Sequence, residues 1–323
     1  MATKTTPPVD AFERDRLALF ARYGFEAESR WVGDREGRVS NLLVRGDGAH
    51  PTVLLHGGLS QAAEWAPLAG RLPGHVVIPD RPGCGLSYPV DYRGVDYGKA
   101  AEEWLSDLLD GIDAEQVDLV GNSMGGFFGI AFAVAHPDRV RRLVLIGAPA
   151  GLDRQLPLLI RLWGNPLIGP ILIKAGLTTP RDGEALRERV FARLLVAHPE
   201  DMPRDILELA VVAQALPGAE HSSHTMLRAV STLRGWRRGL MMRDALAGLR
   251  VSTQFLWGDA DGFAPPSSGR KMVARMPNAA IDIIPNTGHL PHLERPDAVA
   301  NAIADLAERD RNGSAIGTGR GRR

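Results

Sequence analysis

Residues 117–128 read Val-Asp-Leu-Val-Gly-Asn-Ser-Met-Gly-Gly-Phe-Phe. A short apolar run stops at a glycine-flanked serine, Ser123, and an apolar, helix-compatible segment follows at once. A strand can turn directly into a helix through Gly-x-Ser-x-Gly only if the serine accepts a strained backbone and its second neighbours on either side are small. The pattern therefore predicts strand, sharp turn and helix, with the Ser123 hydroxyl exposed at the helix head. Taken alone the pattern is a weak signal, and its flanks give it weight.

Those flanks belong to a longer rhythm that begins at residue 52. Residues 52–55 suit a strand leading into His56-Gly57-Gly58, followed by a helix near 61–72 and a strand at 76–78. A helix over 97–112 places Ala101, Trp104, Leu105, Leu108 and Leu109 on one side, and the strand at 117–120 enters the serine turn. Another strand follows at 142–146, and the rhythm returns at 251–257, 280–284 and a closing helix at 296–309. Strands alternating with helices of this length indicate a mostly parallel sheet with helices on both faces, an α/β fold. The strands are apolar throughout, as expected when both faces are covered.

Three regions stand outside the rhythm. Residues 1–27 form an N-terminal extension with an amphipathic helix over 10–24, carrying Phe12, Leu17, Leu19 and Phe20. Strand-like pieces at 28–32 and 39–44, joined by Gly33-Asp34-Arg35-Glu36-Gly37, suit an antiparallel hairpin at the sheet edge. Residues 148–247 read as helix after helix with no strand, an insertion between two parts of a core at 28–147 and 248–311. The tail at 312–323, rich in glycine and arginine, is expected to be disordered.

Composition narrows the partners. Lys plus Arg equals Asp plus Glu at 38 each, which gives no case for a nucleic acid partner or for a membrane surface. The single cysteine, Cys84, rules out an intramolecular disulfide framework and a cysteine-based zinc site. No signal peptide is visible at the N-terminus, so the expected location is cytoplasmic. Residues 156–177 match a membrane span in length, but prolines, glycines, Arg161 and Lys174 interrupt them, and short buried helices are expected instead. No membrane span, cofactor or metal is expected, and a homo-oligomer is left open.

A serine hydroxyl becomes a nucleophile when a base takes its proton, and the base needs an acid to fix its tautomer. His289, in Asn286-Thr287-Gly288-His289 after the last apolar strand, has the best context for the base, with His292 as a competitor. Asp259 and Asp261 both follow the strand ending at Trp257, and either suits the acid. An acyl-transfer site also needs two N–H groups aimed at the developing oxyanion. Met124 supplies one at a helix N-terminus, and Gly58, with Leu59 as fallback, supplies the other.

The ordered set His56-Gly57-Gly58, Asp80-Arg81-Pro82-Gly83-Cys84-Gly85-Leu86-Ser87, Gly121-Asn122-Ser123-Met124-Gly125-Gly126, Gly258-Asp259-Ala260-Asp261 and Gly288-His289 resembles the α/β-hydrolase superfamily over about residues 28–310. The resemblance implies Ser123 as nucleophile, His289 as base, Asp261 as orienting acid, and 148–247 as a cap over the pocket. Within the superfamily the chain is similar to carboxylesterases and to carbon–carbon hydrolases of ring-fission products. The latter usually carry tryptophan where this chain has Leu290, and a Gly-Pro-Gly loop where it has Gly58-Leu59-Ser60. Their substrate-carboxylate arginine has no counterpart singled out among Arg181, Arg187, Arg189 and Arg193. The expected activity is hydrolysis of a small or medium, mainly apolar ester through an acyl-enzyme. Carbon–carbon hydrolysis of ring-fission dienoates is the alternative, and a catalytically silent binding protein the reading from another class. Trp163, Leu159, Leu167 and Leu290 are the expected pocket residues for a small-molecule substrate.

Overall fold

The computed structural model of the chain describes residues 7–175 and 182–311, so the tail expected to be disordered at 312–323 lies outside the described residues. In chain order the first elements are α1 (Pro7–Arg22), β1 (Glu28–Gly33), β2 (Val39–Arg45), β3 (Thr52–Leu55), α2 (Ala66–Ala69), β4 (Val76–Pro79), α3 (Tyr97–Gly111), β5 (Val117–Asn122), α4 (Met124–Ala135) and β6 (Val140–Ile146). An excursion follows with α5 (Leu158–Trp163), α6 (Gly169–Lys174), α7 (Gly183–Leu186), a π-helical stretch (Arg187–Leu195), α8 (Arg204–Gln214), α9 (Ala219–Val230), β7 (Ser231–Thr232), β8 (Gly235–Trp236) and α10 (Arg243–Ala247). The chain closes with β9 (Ser252–Gly258), α11 (Pro266–Val273), β10 (Ala279–Ile284), α12 (Pro291–Glu294) and α13 (Pro296–Arg311).

The main sheet has eight strands in the order β1-β2-β4-β3-β5-β6-β9-β10. β1 pairs with β2, and β2 with β4, antiparallel, while the remaining pairs are parallel. β5, which leads into Ser123, therefore lies in the middle, flanked by β3 and β6. β3, β4 and β5 are buried along almost their whole length, which is why their sequences run apolar without alternation. Asp96 caps α3 by accepting the Gly98 and Lys99 N–H groups, and the helix buries the expected stripe Ala101, Trp104, Leu105, Leu108 and Leu109.

Apolar residues divide into two clusters, one on each face of the sheet. Phe128 and Phe132 of α4 and Trp104 of α3 belong to one, which continues into the excursion through Trp163, Met226, Val230 and Trp236. Phe12 and Phe20 of α1, Trp65 and Leu306 belong to the other, which continues through Phe191, Ile206 and Leu216. The excursion thus has two halves, each rooted in a different cluster.

The described chain departs from the sequence reading in three places. The excursion is not wholly helical, because β7 and β8 form an antiparallel pair. Two-residue strands are too short to leave a periodic signal, and the turn between them is Leu233-Arg234, followed by Gly235 at φ 108. The helix expected over 61–72 shrinks to a 3₁₀ turn, Ala62–Trp65, and the short α2. The stretch after 156 does form short helices, but they are not wholly buried: Leu158 is 59%, Leu167 79% and Ile171 67% exposed.

α1 is fixed by one side chain. Arg16, fully buried, places Nη1 at 2.5 Å from Asp80 Oδ2 and Nη2 at 2.6 Å from Asn41 Oδ1. Asp80 also accepts the Ala62 and Leu86 N–H groups at 2.8 and 2.9 Å. The α1 helix therefore holds the loops after β3 and β4. Among the described residues no helix is long and apolar enough to cross a membrane.

Candidate active site

Ser123 occupies the turn between β5 and α4 with φ 51 and ψ −110, a conformation that an L residue adopts only under constraint. Its neighbours explain why glycine is required on both sides. A Cβ on Gly121 would lie 2.6 Å from the Gly125 carbonyl carbon, and one on Gly125 would lie 1.9 Å from the Leu55 oxygen. Asn122 underpins the turn. Its Nδ2 donates to the Ile146 and His289 carbonyls at 3.0 Å each, tying the serine turn to the histidine loop.

Of the two aspartates after β9, Asp261 reaches His289. Its Oδ1 and Oδ2 lie 3.0 and 2.9 Å from His289 Nδ1, and they also accept the Phe263 and Ala148 N–H groups at 2.8 Å each. Asp259 instead accepts the Thr287 N–H and stays exposed. With Nδ1 shared with Asp261, the other imidazole nitrogen, Nε2, is buried without a hydrogen-bond partner. Phe263 stacks on the His289 ring with centroids 4.1 Å apart. Ser123 and His289 line one cavity, and no hydrogen bond joins Ser123 Oγ to Nε2 in this resting geometry. Such contacts tighten when substrate is bound. The competing His292 is placed elsewhere: fully buried, tilted against the Trp65 ring with centroids 4.3 Å apart, with Nε2 3.7 Å from Glu64 Oε1.

The loop after β3 is pinned from several sides. Arg81 donates through its backbone N–H to His56 Nε2, through Nε to the His56 carbonyl, and through Nη2 to the Gly57 carbonyl. Burial, reinforced by the Arg81 charge, pushes the His56 imidazole down to about 4, so it is neutral at pH 7 and its Nε2 can accept. Glu64 accepts the Gly57 N–H at 2.9 Å, which removes that donor from any oxyanion site. Burial pushes the Glu64 carboxyl up, but His292, His56 and Ser60 outweigh it and the net direction is down. A Cβ on Gly58 would lie 3.1 Å from Met124 Cγ, so the two expected oxyanion donors are neighbours. Leu59, the fallback, has a left-handed backbone at φ 59, and its carbonyl accepts from Gln214 Nε2 at 3.1 Å.

Glu294 joins the histidine loop to the excursion. Its Oε2 accepts the Gly288 N–H at 2.6 Å, and its Oε1 accepts the Ala197 and His198 N–H groups at 2.8 and 3.1 Å. Burial raises the Glu294 carboxyl, with those N–H groups pulling the other way. The Leu195 carbonyl in turn accepts the His289 N–H at 2.6 Å. Sequence reasoning missed Asn122, Glu64, Gln214, Phe263 and Glu294. A carboxylate within the apolar turn just after His289 was the one available signal.

The cavity is walled by both halves of the excursion: Ile160, Trp163, Leu227 and Trp236 from one, Val190, Phe191, Leu194 and Gln214 from the other. Trp163 and Leu290 line it as expected. Leu159 packs against the apolar cluster on the α4 face and Leu167 is exposed, so neither joins the described cavity wall. The ionisable groups along the described wall are the carboxylates Glu64 and Glu220, with His224 and His289. Of the arginines considered for a substrate carboxylate, Arg187 pairs with Glu184, while Arg181 and the side chains of Arg189 and Arg193 lie outside the described residues.

The family model for the alpha/beta hydrolase family matches residues 52–302, spanning the strands and turns that carry these residues. The chain belongs to the alpha/beta hydrolase family. This hydrolase is 30% identical over 301 residues to a 2-hydroxy-6-oxononadienedioate/2-hydroxy-6-oxononatrienedioate hydrolase of Dechloromonas aromatica, covering 87% of this chain and 95% of the relative. It is 28% identical over 291 residues to a 2-hydroxy-6-oxo-6-phenylhexa-2,4-dienoate hydrolase of Burkholderia cepacia, covering 86% and 96%. Among solved structures, a carboxylesterase of Bacillus subtilis shares the fold with a TM-score of 0.73 at 18% identity, over 94% of this hydrolase and 99% of that chain.

Proposed function

We propose that this hydrolase cleaves a small or medium, mainly apolar ester through an acyl-enzyme, with Ser123 as nucleophile, His289 as base and Asp261 as orienting acid. Residues 148–247 act as the cap that closes the pocket. The observation that carries the reading is the His289 imidazole, held by Asp261 at Nδ1 with Nε2 free, beside Ser123 on its strained turn. Ser123 Oγ attacks the ester carbonyl while Nε2 takes its proton, and the Asp261 carboxylate steadies the imidazolium. The oxyanion forms beside the Gly58 and Met124 N–H groups, at the N-terminus of α4 where the helix dipole favours negative charge. His289 then protonates the departing alkoxide, and water activated by the same nitrogen releases the acid. Trp163, Phe191 and Leu290 provide apolar surface for the substrate, and the Glu64 and Glu220 carboxylates disfavour an anionic one.

A p-nitrophenyl ester series tests this directly. Turnover is expected to be highest for uncharged acyl chains of short to medium length and to vanish in Ser123→Ala. Unchanged turnover in that variant contradicts the reading.

A second reading, carbon–carbon hydrolysis of a ring-fission dienoate, draws support from the names of the curated relatives, which favour it over ester cleavage. The same serine, histidine and aspartate serve either reaction. Turnover of a coloured dienoate well above ester turnover would establish the second reading in place of the first.

A further inference from the structure

The four most exposed large apolar side chains among the described residues all lie on one half of the excursion: Leu167 at 79%, Ile171 at 67%, Leu158 at 59% and Leu233 at 50%. They come from α5, the α5–α6 turn, α6 and the β7–β8 turn. Arg161 of α5 donates to the Leu233 carbonyl at 3.0 Å, and a surface cleft runs from Asn165 and Pro166 to Leu233 and Arg234, so these elements form one face. Exposed apolar side chains gathered in this way mark an interaction site, whereas scattered ones need no explanation.

Charge on the same face is one-sided. Residues 154–175 carry Arg154, Arg161 and Lys174, and residues 221–238 carry Arg228, Arg234, Arg237 and Arg238, with no Asp or Glu in either stretch, while Arg243 beyond them pairs with Asp153 at 3.7 Å. The chain as a whole is neutral, so this is a local concentration of positive charge. Arg234, Arg237 and Arg238 are exposed and make no ion pair among the described residues. Surface arginines elsewhere, such as Arg22, Arg35, Arg71 and Arg93, each hold a carboxylate.

We propose that this face docks on an anionic lipid bilayer, with Leu158, Leu167, Ile171 and Leu233 entering the headgroup layer and Arg234, Arg237 and Arg238 against the lipid phosphates. Aliphatic side chains exposed to this degree can enter a fluid acyl boundary, and cations without a carboxylate partner are available to anionic headgroups, although Arg237 Nη2 also donates to the Arg228 carbonyl at 2.9 Å. The opposite face of α5 carries Ile160 and Trp163 into the active-site cavity. A docked bilayer would lie against the outer wall of that cavity, where membrane-dissolved apolar compounds are concentrated. Docking does not depend on which bond Ser123 cleaves.

Co-sedimentation of the full chain with vesicles tests the proposal. The protein is expected to bind phosphatidylcholine vesicles containing about 30% phosphatidylserine, and to bind pure phosphatidylcholine much less, because juxtamembrane cations respond to anionic lipid. Each arginine near such a surface is worth about five-fold in affinity, so Arg234→Gln, Arg237→Gln and Arg238→Gln together should weaken binding at least about twenty-fold. Leu167→Ser with Ile171→Ser should also weaken it, with ester turnover in solution and thermal midpoint unchanged in both variants. Failure to bind the anionic vesicles, or equal binding by wild type and both variants, overturns the proposal. Binding to polyglutamate with none to vesicles also overturns it, in favour of an acidic protein partner.

Discussion

Replacing Arg16 tests whether α1 is an integral part of the hydrolase. In the native chain both Arg16 and Asp80 are fully buried and 2.5 Å apart, so Arg16→Met strands a carboxylate that still accepts two N–H groups. Removing one partner of a buried pair costs about 3–5 kcal/mol, much of it from the uncompensated charge left behind. For a chain of this size each kcal/mol lowers Tm by about 1.5–2 °C, so the midpoint should fall by roughly 5–10 °C. The double variant Arg16→Met with Asp80→Asn removes both charges, and should cost at least about 1 kcal/mol less than the two single variants added together. Urea unfolding of the four proteins at pH 7, followed by tryptophan fluorescence, measures these terms. A single-variant loss below about 1 kcal/mol, or strict additivity, would refute the account of α1 as pinned by this pair.

Three further outcomes follow from the site and its turns. Asp261→Asn should reduce kcat about 10⁴-fold with little change in KM, because the imidazole loses the partner that fixes its tautomer, and steady-state ester kinetics check this. Gly125→Ala should fail to accumulate as soluble protein or lose several kcal/mol in urea titration, since its Cβ meets the Leu55 backbone oxygen at 1.9 Å. His56 is depressed to about 4 in the fold against 6.5 unfolded, so its contribution is complete above pH 6.5 and is lost as pH falls toward 4. That shift is worth about 3 kcal/mol, and wild type should lose stability between pH 7 and 4.5 more steeply than His56→Gln in the same titration.

The parts of the fold legible in the sequence are those written in local pattern. The Gly33–Gly37 turn gave the β1–β2 hairpin, and the pattern around Ser123 gave the strand, turn and helix of β5 and α4. His289 and the pair Asp259 and Asp261 stand out because each follows an apolar strand, the family resemblance pointed to Asp261, and in the structure only Asp261 reaches His289 Nδ1. The rest depends on long-range pairing. Arg14 and Arg16 look alike in a helix of mixed charge, yet one is exposed and the other meets an aspartate from a distant loop. Glu64 has no local sequence signal and Glu294 only its place in an apolar turn, because their roles arise when the fold brings the Gly57 and Gly288 N–H groups to them. Leu167 read as a pocket residue because hydrophobicity alone does not say which way a turn between short helices faces, and it turned out to be the most exposed large apolar side chain described.

The central claim is that Ser123, served by His289, is the reacting group. Its most direct test is labelling of the intact protein with an active-site fluorophosphonate, followed by peptide mass spectrometry. The account predicts one modified residue, Ser123, with labelling abolished in Ser123→Ala and strongly slowed in His289→Ala. Labelling at another residue, or labelling of Ser123→Ala at the wild-type rate, would contradict it.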